Sequence, residues 1–111
     1  NLETILAEKL QTVLARGLLN TRMRDFYDIR TLLSIYEQEI DENVLKDAFK
    51  ATCKKRETEN LKAEGSQIIT AIEGDVQLHN LWKSYQKKYP YATDISYEDI
   101  MESTKSLFDK I

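Results

Sequence analysis

The sequence predicts an all-α fold, a single compact bundle of five or six helices. Only 3 glycines and 1 proline occur among the 111 residues, so the residues that usually form tight turns are scarce. Leu, Lys, Glu, Ile and Ala dominate instead, and no segment shows the alternation or the hairpin pattern of strands. The hydrophobic content of 41% can bury one continuous core, so a single domain is expected.

Charge and cysteine content exclude several classes of protein. Charged residues make up 32% of the chain, but the formal net charge is only -3, so the whole chain is not a basic nucleic-acid module. Cys53 is the only cysteine, and no apolar run approaches the roughly 18 residues of a membrane span. We therefore expect a cytoplasmic location and no membrane association. Since a helical pattern begins directly, without an initiator Met, we expect a part of a longer protein.

Capping residues predict where the helices begin and end. Gly17 suits the position after a first helix, and Thr21, Asp41 and Asp75 suit the positions before later ones. Ser96 and Asp99 have the spacing of a capping box. The predicted helices cover about residues 3–16, 22–38, 42–56, 66–73, 76–89 and 96–111.

The polar stretch 57–65 has no convincing apolar period, so we predict a loop there, with room for a helical turn within it. Ser66 would then cap the short fourth helix, and Gly74 would end it. Elsewhere the helical spacing assigns apolar residues to inward faces, Ile5, Tyr36 and Val44 among them.

Two charged residues lie on these inward faces. Lys9 falls within the apolar arc of the first helix, and Asp25 stands one turn before Ile29 in the second. An unpaired charge removed from water costs several kcal/mol, so each needs a partner, a ligand or a cavity. A short loop would pack the two helices as neighbours, which brings Lys9 near Asp25. Two interpretations remain open: a structural ion pair, or a sheltered lysine that contacts phosphate beside an aspartate that orients it or accepts a proton.

Basic and aromatic groups elsewhere are compatible with binding but have simpler explanations. Arg16, Arg22 and Arg24 form a positive cluster that can attract an anionic substrate or can be a solvated rim. His79 has no second ligand at metal-binding spacing, so no metal site is predicted. Four tyrosines near Pro90 are more typical of packing at a helix junction than of stacking on bases. They are Tyr85, Tyr89, Tyr91 and Tyr97.

Two segments resemble a known family. Glu3-Thr-Ile-Leu-Ala-Glu-Lys-Leu and Arg16-Gly-Leu-Leu-Asn-Thr-Arg-Met-Arg-Asp-Phe-Tyr-Asp-Ile resemble the second half of the AbiEii/AbiGii toxins, nucleotidyltransferase-like proteins of bacterial abortive-infection and toxin-antitoxin systems. Lys9 matches the lysine of the family's third motif. Arg24, Asp25 and Asp28 match the Arg/Lys-Asp-x-x-Asp form of its fourth. The resemblance is specific over residues 3–33 and weaker beyond.

The resemblance implies a role for each matched residue. Lys9 would contact the nucleotide phosphates, with the three arginines nearby, and Asp25 would be the active-site acid, with Asp28 as a second position. The activity would be transfer of a nucleoside monophosphate from an NTP, with Mg²⁺ in the full-length protein, to a nucleic acid such as tRNA. A cognate antitoxin would be the protein partner.

One part of the family pattern is missing. The family's Gly-Ser followed by an Asp-x-Asp pair, which holds the metal, has no counterpart, because Gly65-Ser66 is not followed by such a pair. We therefore expect residues 1–111 to be the helical C-terminal domain of a larger nucleotidyltransferase-like protein, without its N-terminal sheet domain and inactive alone. Two alternatives are a non-catalytic module that docks an antitoxin, with Lys9 and Asp25 as a structural pair, and a degenerate paralogue.

Overall fold

The computed structural model describes all 111 residues as six α-helices and three 3-10 turns, without strands. Helices α1 to α6 are Leu2–Arg16, Arg24–Tyr36, Glu42–Lys55, Leu61–Glu73, Val76–Lys88 and Tyr97–Asp109. The 3-10 turns are Gly17–Leu19, Glu37–Glu39 and Pro90–Ala92. The prediction of an all-α bundle with five or six helices is confirmed.

Most of the predicted helix ends are confirmed by their hydrogen bonds. The Asp41 carboxylate accepts from two backbone N–H groups of α3, and the Asp75 carboxylate accepts from the backbone N–H of Leu78 in α5. Ser96 and Asp99 form both bonds of a capping box at the start of α6. Gly17 ends α1 with a φ of 52°, a left-handed conformation that glycine adopts without strain.

The prediction of Thr21 as the cap of α2 is wrong. Helix α2 begins at Arg24, and no side chain caps it. The turn before it is instead fixed by Asn20, whose Oδ1 accepts from the Arg22 backbone N–H at 2.9 Å. An Asn side chain that bonds the backbone two residues later turns the chain by itself, so a cap at Thr21 is not needed.

The prediction of a loop is confirmed for residues 57–60 and wrong for residues 61–65, because α4 begins at Leu61. The prediction of Ser66 as a helix cap is wrong as well, since α4 runs through Gly65 and Ser66. Gly65 is buried, and a Cβ at this position would overlap the ring of Phe108 from α6. The glycine therefore allows two helices to approach closely instead of breaking one. The reversal from α3 to α4 is made by Glu57, which has a φ of 56°.

Helix α1 is the centre of the core. It contacts α2, α3, α4 and α6, and four of its apolar side chains have no solvent exposure: Leu6, Ala7, Leu10 and Val13. Three residues predicted on inward faces are instead exposed, Ile5 by 45%, Tyr36 by 42% and Val44 by 39%. Each lies at the margin of an apolar stripe, beyond the reach of the neighbouring helix.

Polar contacts fix the orientation of α1 against α3. Glu3 is 8% exposed, and its carboxylate accepts from the Asp41 backbone N–H at 2.9 Å. At the other end of α3, Arg56 donates to Gln11 of α1, and Gln11 donates to Thr58. Since buried polar groups require partners, these bonds set the position of α1 along α3. They thereby set the position of Lys9, on the same helix.

Candidate functional site

A cluster of five charged side chains lies where α1 packs against the start of α2. Lys9 comes from the second turn of α1, and Asp25 from the first turn of α2. Asp25 and Asp28 lie near the positive end of the α2 dipole, which favours carboxylates. The other members are Arg22 and Arg24, and we refer to all five as the α1–α2 cluster.

Lys9 contacts both carboxylates of the cluster. Its Nζ donates to Asp28 Oδ2 at 2.8 Å and lies 3.6 Å from Asp25 Oδ1. The Lys9 side chain is 24% exposed, so the ammonium is sheltered without being fully buried. The expected approach of Lys9 to Asp25 is therefore found, but the direct hydrogen bond goes to Asp28.

Asp25 is the most unusual member of the cluster. Its side chain is only 5% exposed, and its Oδ2 has no hydrogen-bond partner. The nearest cation on that side is Arg22, whose guanidinium nitrogen lies 3.7 Å away, too far for a hydrogen bond. Nearly all buried polar atoms in folded proteins are hydrogen-bonded, so an unpartnered carboxylate oxygen is a candidate for binding or chemistry.

A second unpartnered atom lies in the same part of the chain. Asn20, in the turn between α1 and α2, is 1% exposed, and its Nδ2 lacks a partner. Asn20 Nδ2 and Asp25 Oδ2 are the two buried side-chain polar atoms of the structure without a hydrogen bond. Sequence reasoning missed Asn20. Its only signal in the sequence is that a polar residue directly follows Leu18 and Leu19, shortly before the arginines of the motif.

The predicted arginines have different positions. Arg24 Nε donates to Asp28 Oδ1 at 2.9 Å, and this bond with the charge of Asp28 raises the pKa of the Arg24 guanidinium. Arg22 and Arg24 are exposed by 56% and 64%, so their charges face solvent at the rim of the cluster. Arg16, the last residue of α1, is exposed and belongs to none of the salt bridges of the structure.

A shallow cavity of about 230 Å³ opens above this cluster. Lys9 and Asp25 line it together with three residues of α1 that sequence reasoning did not assign to a site: Ile5, Glu8 and Thr12. Ile5 is half-exposed because it borders this opening. The helical spacing of Ile5, Glu8 and Thr12 around Lys9 was a possible signal, since residues three and four apart share a helix face.

The carboxylates of the cluster do not form a metal site. No group of three or more His, Cys, Asp or Glu side chains in the structure is arranged to hold a metal ion. The Lys9 ammonium also occupies the position between Asp25 and Asp28 that a shared cation would take. Magnesium prefers several oxygen ligands in octahedral geometry, so these residues do not fit a magnesium ion.

Residues 1–103 match the family model of the nucleotidyl transferase AbiEii toxin of type IV toxin-antitoxin systems. The chain belongs to the AbiEii family. The match covers α1 to α5 and half of α6, so it extends well beyond the motif segment 3–33 that carries the sequence resemblance. No curated protein and no solved structure matches the chain.

Membership of the AbiEii family has direct consequences for ligands and partners. A nucleotidyl transferase uses a nucleoside triphosphate, and the toxin of a toxin-antitoxin system has an antitoxin as its counterpart. None of the helices of this AbiEii chain is long and apolar enough to cross a membrane.

Proposed function

We propose that the α1–α2 cluster is the part of a nucleotidyl-transfer site that this chain contributes. The reaction is transfer of a nucleoside monophosphate from an NTP to a nucleic-acid acceptor such as tRNA. The observation that supports it most is that Asp25, whose Oδ2 is buried without a hydrogen-bond partner, lines an open cavity together with Lys9. In a family of nucleotidyl transferases, a carboxylate retained at that cost in stability is better explained by function than by packing.

Each residue has a defined role in this proposal. An acceptor hydroxyl attacks the α-phosphorus of the NTP and forms a new P–O bond. The bond between the α-phosphorus and the oxygen that bridges it to the β-phosphate breaks, and pyrophosphate leaves. Asp25 accepts the hydroxyl proton. Lys9 contacts phosphate oxygens, because an ammonium has three N–H donors and Asp28 uses one. Asp28 thus orients Lys9, and Arg16, Arg22 and Arg24 attract the triphosphate.

The metal carboxylates of the reaction lie, in this proposal, outside these 111 residues. Such transfers commonly use Mg²⁺ to neutralise the charge of the triphosphate. Because the α1–α2 cluster does not fit a magnesium ion, the metal ligands have to come from elsewhere. We infer that this chain is the helical C-terminal domain of a larger protein whose N-terminal sheet domain supplies these ligands. The helical domain alone is then inactive.

A transfer assay on the complete protein tests the catalytic roles. Labelled NTP and RNA are the substrates, and Lys9→Ala and Asp25→Asn are each expected to lower the rate by about 100-fold or more. Lys105→Ala is the matched control, because Lys105 also forms an ion pair, with Glu73, but between α6 and α4. Folded Lys9 and Asp25 variants that transfer at the wild-type rate would disprove the assignment.

A second candidate function is docking of the antitoxin through the turn between α1 and α2. Leu18 and Leu19 in this turn are exposed by 49% and 90%, and exposed apolar groups favour protein contacts. In this case Lys9 and Asp25 form a structural pair. Leu19→Ser would then abolish antitoxin binding, and Asp25→Asn would leave transfer unchanged. Retained antitoxin binding by Leu19→Ser would exclude this surface.

A further inference from the structure

Four tyrosines form an aromatic cluster next to the α1–α2 cluster. Tyr91 lies 4.7 Å from Tyr27 and 5.5 Å from Tyr89, measured between ring centroids, and Tyr85 lies 4.6 Å from Tyr89. We call Tyr27, Tyr85, Tyr89 and Tyr91 the tyrosine cluster. Tyr97, which the sequence groups with them, lies elsewhere: its hydroxyl donates to the Ile72 carbonyl oxygen and its ring stacks on His79.

The tyrosine cluster adjoins the proposed transfer site through α2. Tyr27 precedes Asp28 in the chain, and Arg24, which bonds Asp28, is close enough for its charge to act on Tyr85 and Tyr91. A strand held on the tyrosine cluster would therefore pass beside Asp28. Burial, together with a hydrogen bond to Tyr91, raises the pKa of Tyr85, so its hydroxyl stays protonated and keeps that bond.

Tyr91 presents the open ring of the cluster. The Tyr91 ring packs against the Tyr27 ring, and its hydroxyl is hydrogen-bonded to Tyr85 Oη at 2.7 Å. Tyr91 is nevertheless 48% exposed. Tyr89 differs, because the Lys88 ammonium lies 5.5 Å from its ring centroid and covers one face. An exposed aromatic ring that its neighbours hold in place loses little entropy when a flat group stacks on it.

A basic groove of about 360 Å³ lies between α5 and Pro90 and Thr93, the residues that flank Tyr91 and Ala92 in the chain. It is lined by Lys83, Gln86, Lys87, Pro90 and Thr93. Lys83 and Lys87 are exposed, lie one helical turn apart, and form none of the salt bridges of the structure. Two free ammonium groups beside an aromatic face are the combination by which proteins bind single strands: cations track the phosphates, and rings stack on the bases.

We propose that the tyrosine cluster and the basic groove bind an unpaired stretch of the acceptor nucleic acid, with one base stacked on Tyr91 and backbone phosphates against Lys83 and Lys87. The proposal rests on the proposed function, since it takes the acceptor to be a nucleic acid. It adds the path of the strand, which reaches the α1–α2 cluster from the side of α5. The groove and the cavity above Lys9 have separate linings, so strand and triphosphate occupy different surfaces.

Binding of a fluorescent 12-nucleotide single-stranded RNA by the complete protein tests the stacking contact. Tyr91→Ala is expected to weaken binding about tenfold, whereas Tyr91→Phe, which keeps the ring, stays within about twofold of the wild type. Tyr36→Ala is the matched control, because Tyr36 is 42% exposed but ends α2 away from the cluster. Equal affinities of Tyr91→Ala and Tyr36→Ala, or equal binding of a duplex of the same sequence, would overturn the proposal.

The salt dependence of the same binding tests the basic groove without altering any aromatic residue. Each phosphate contact to a single strand contributes about 0.7 to the slope of log K against log salt concentration. The double variant Lys83→Ala/Lys87→Ala is therefore expected to reduce this slope by about 1.4. Lys54→Ala/Lys55→Ala removes the same charge from the end of α3 and is the control. Equal slopes for the two double variants would contradict the groove assignment.

A third measurement separates failure of this inference from failure of the proposed function. Lys9→Ala should bind the RNA like the wild type and lose transfer, whereas Tyr91→Ala should raise the KM for the acceptor and leave the KM for the NTP unchanged. If Lys9→Ala transfers normally, the proposed function fails whatever the RNA affinities are. If Tyr91→Ala leaves the acceptor KM unchanged while Lys9→Ala is inactive, only the strand path is wrong.

Discussion

The Lys9 ammonium donates to Asp28 at 2.8 Å and leaves Asp25, the more deeply buried carboxylate, at 3.6 Å with one oxygen unpartnered. A pair optimised for stability would give its direct bond to the more buried carboxylate, because burial makes an unsatisfied charge expensive. The arrangement instead leaves Asp25 without a direct hydrogen bond from Lys9. This relationship leads to the first two predictions.

The first prediction concerns the stability of the Lys9 pair. Lys9→Met leaves Asp25 buried without its nearest cation, and we expect it to lower the free energy of unfolding by about 2 kcal/mol. Breaking a fully buried pair costs about 3–5 kcal/mol, and the effect here is smaller because Lys9 is partly exposed. The double variant Lys9→Met/Asp25→Asn should recover about 1 kcal/mol, because the charge is removed as well. Urea unfolding measures both values. A double variant less stable than Lys9→Met would show that the Asp25 charge stabilises the fold by itself.

The second prediction concerns Arg24. Arg24→Ala removes a charge-assisted bond to Asp28 and should raise the KM for the NTP roughly tenfold, since Asp28 then holds Lys9 less firmly. Its effect on the free energy of unfolding should stay below about 0.5 kcal/mol, because Arg24 is 64% exposed. Steady-state kinetics and thermal unfolding separate the two effects. Arg16→Ala, at a residue without a salt bridge, should change the KM less.

The third prediction concerns the pH dependence of the α6 capping box. The backbone N–H of Ser96 donates to the Asp99 carboxylate, and this bond is the main reason why the pKa of Asp99 lies below its usual value. Asp99 therefore stabilises the folded state at pH values above its unfolded pKa. This contribution is lost as the pH falls through the folded pKa. Asp99→Asn should therefore be about 1 kcal/mol less stable at pH 7. The difference from the wild type should shrink under acid conditions. Unfolding curves at pH 7 and pH 3 test this, and a constant difference would contradict it.

The fourth prediction concerns Gly65. Alanine is a better helix former than glycine by about 1 kcal/mol, but a Cβ at residue 65 would overlap the Phe108 ring. We expect Gly65→Ala to destabilise the protein by about 1 kcal/mol net, since overpacking exceeds the gain in propensity. Gly65→Ala/Phe108→Leu should recover stability. Gly74→Ala is the control, because the atom nearest to a Cβ at residue 74 would be 3.9 Å away. If Gly74→Ala destabilised the protein as much as Gly65→Ala, the cause would be a backbone effect and not the Phe108 ring.

The tertiary structure overruled the sequence pattern where a residue had a distant partner. Gly65 looks like a helix breaker within its polar segment, but its reason is the Phe108 ring, more than forty positions later in the chain. Ile5 has the spacing of a core residue, but no neighbouring helix covers it. Spacing describes one helix, and burial depends on what packs against that helix.

The sequence by itself determined the all-α class, most helix ends and the inward positions of Lys9 and Asp25, because capping and helical periodicity act within a few residues along the chain. Only the tertiary structure decided that Asp28 takes the direct bond from Lys9, that Oδ2 of Asp25 stays unpartnered, and that Tyr27 of α2 packs against Tyr91. The reason is physical: each depends on distances between helices, which packing of the whole core sets.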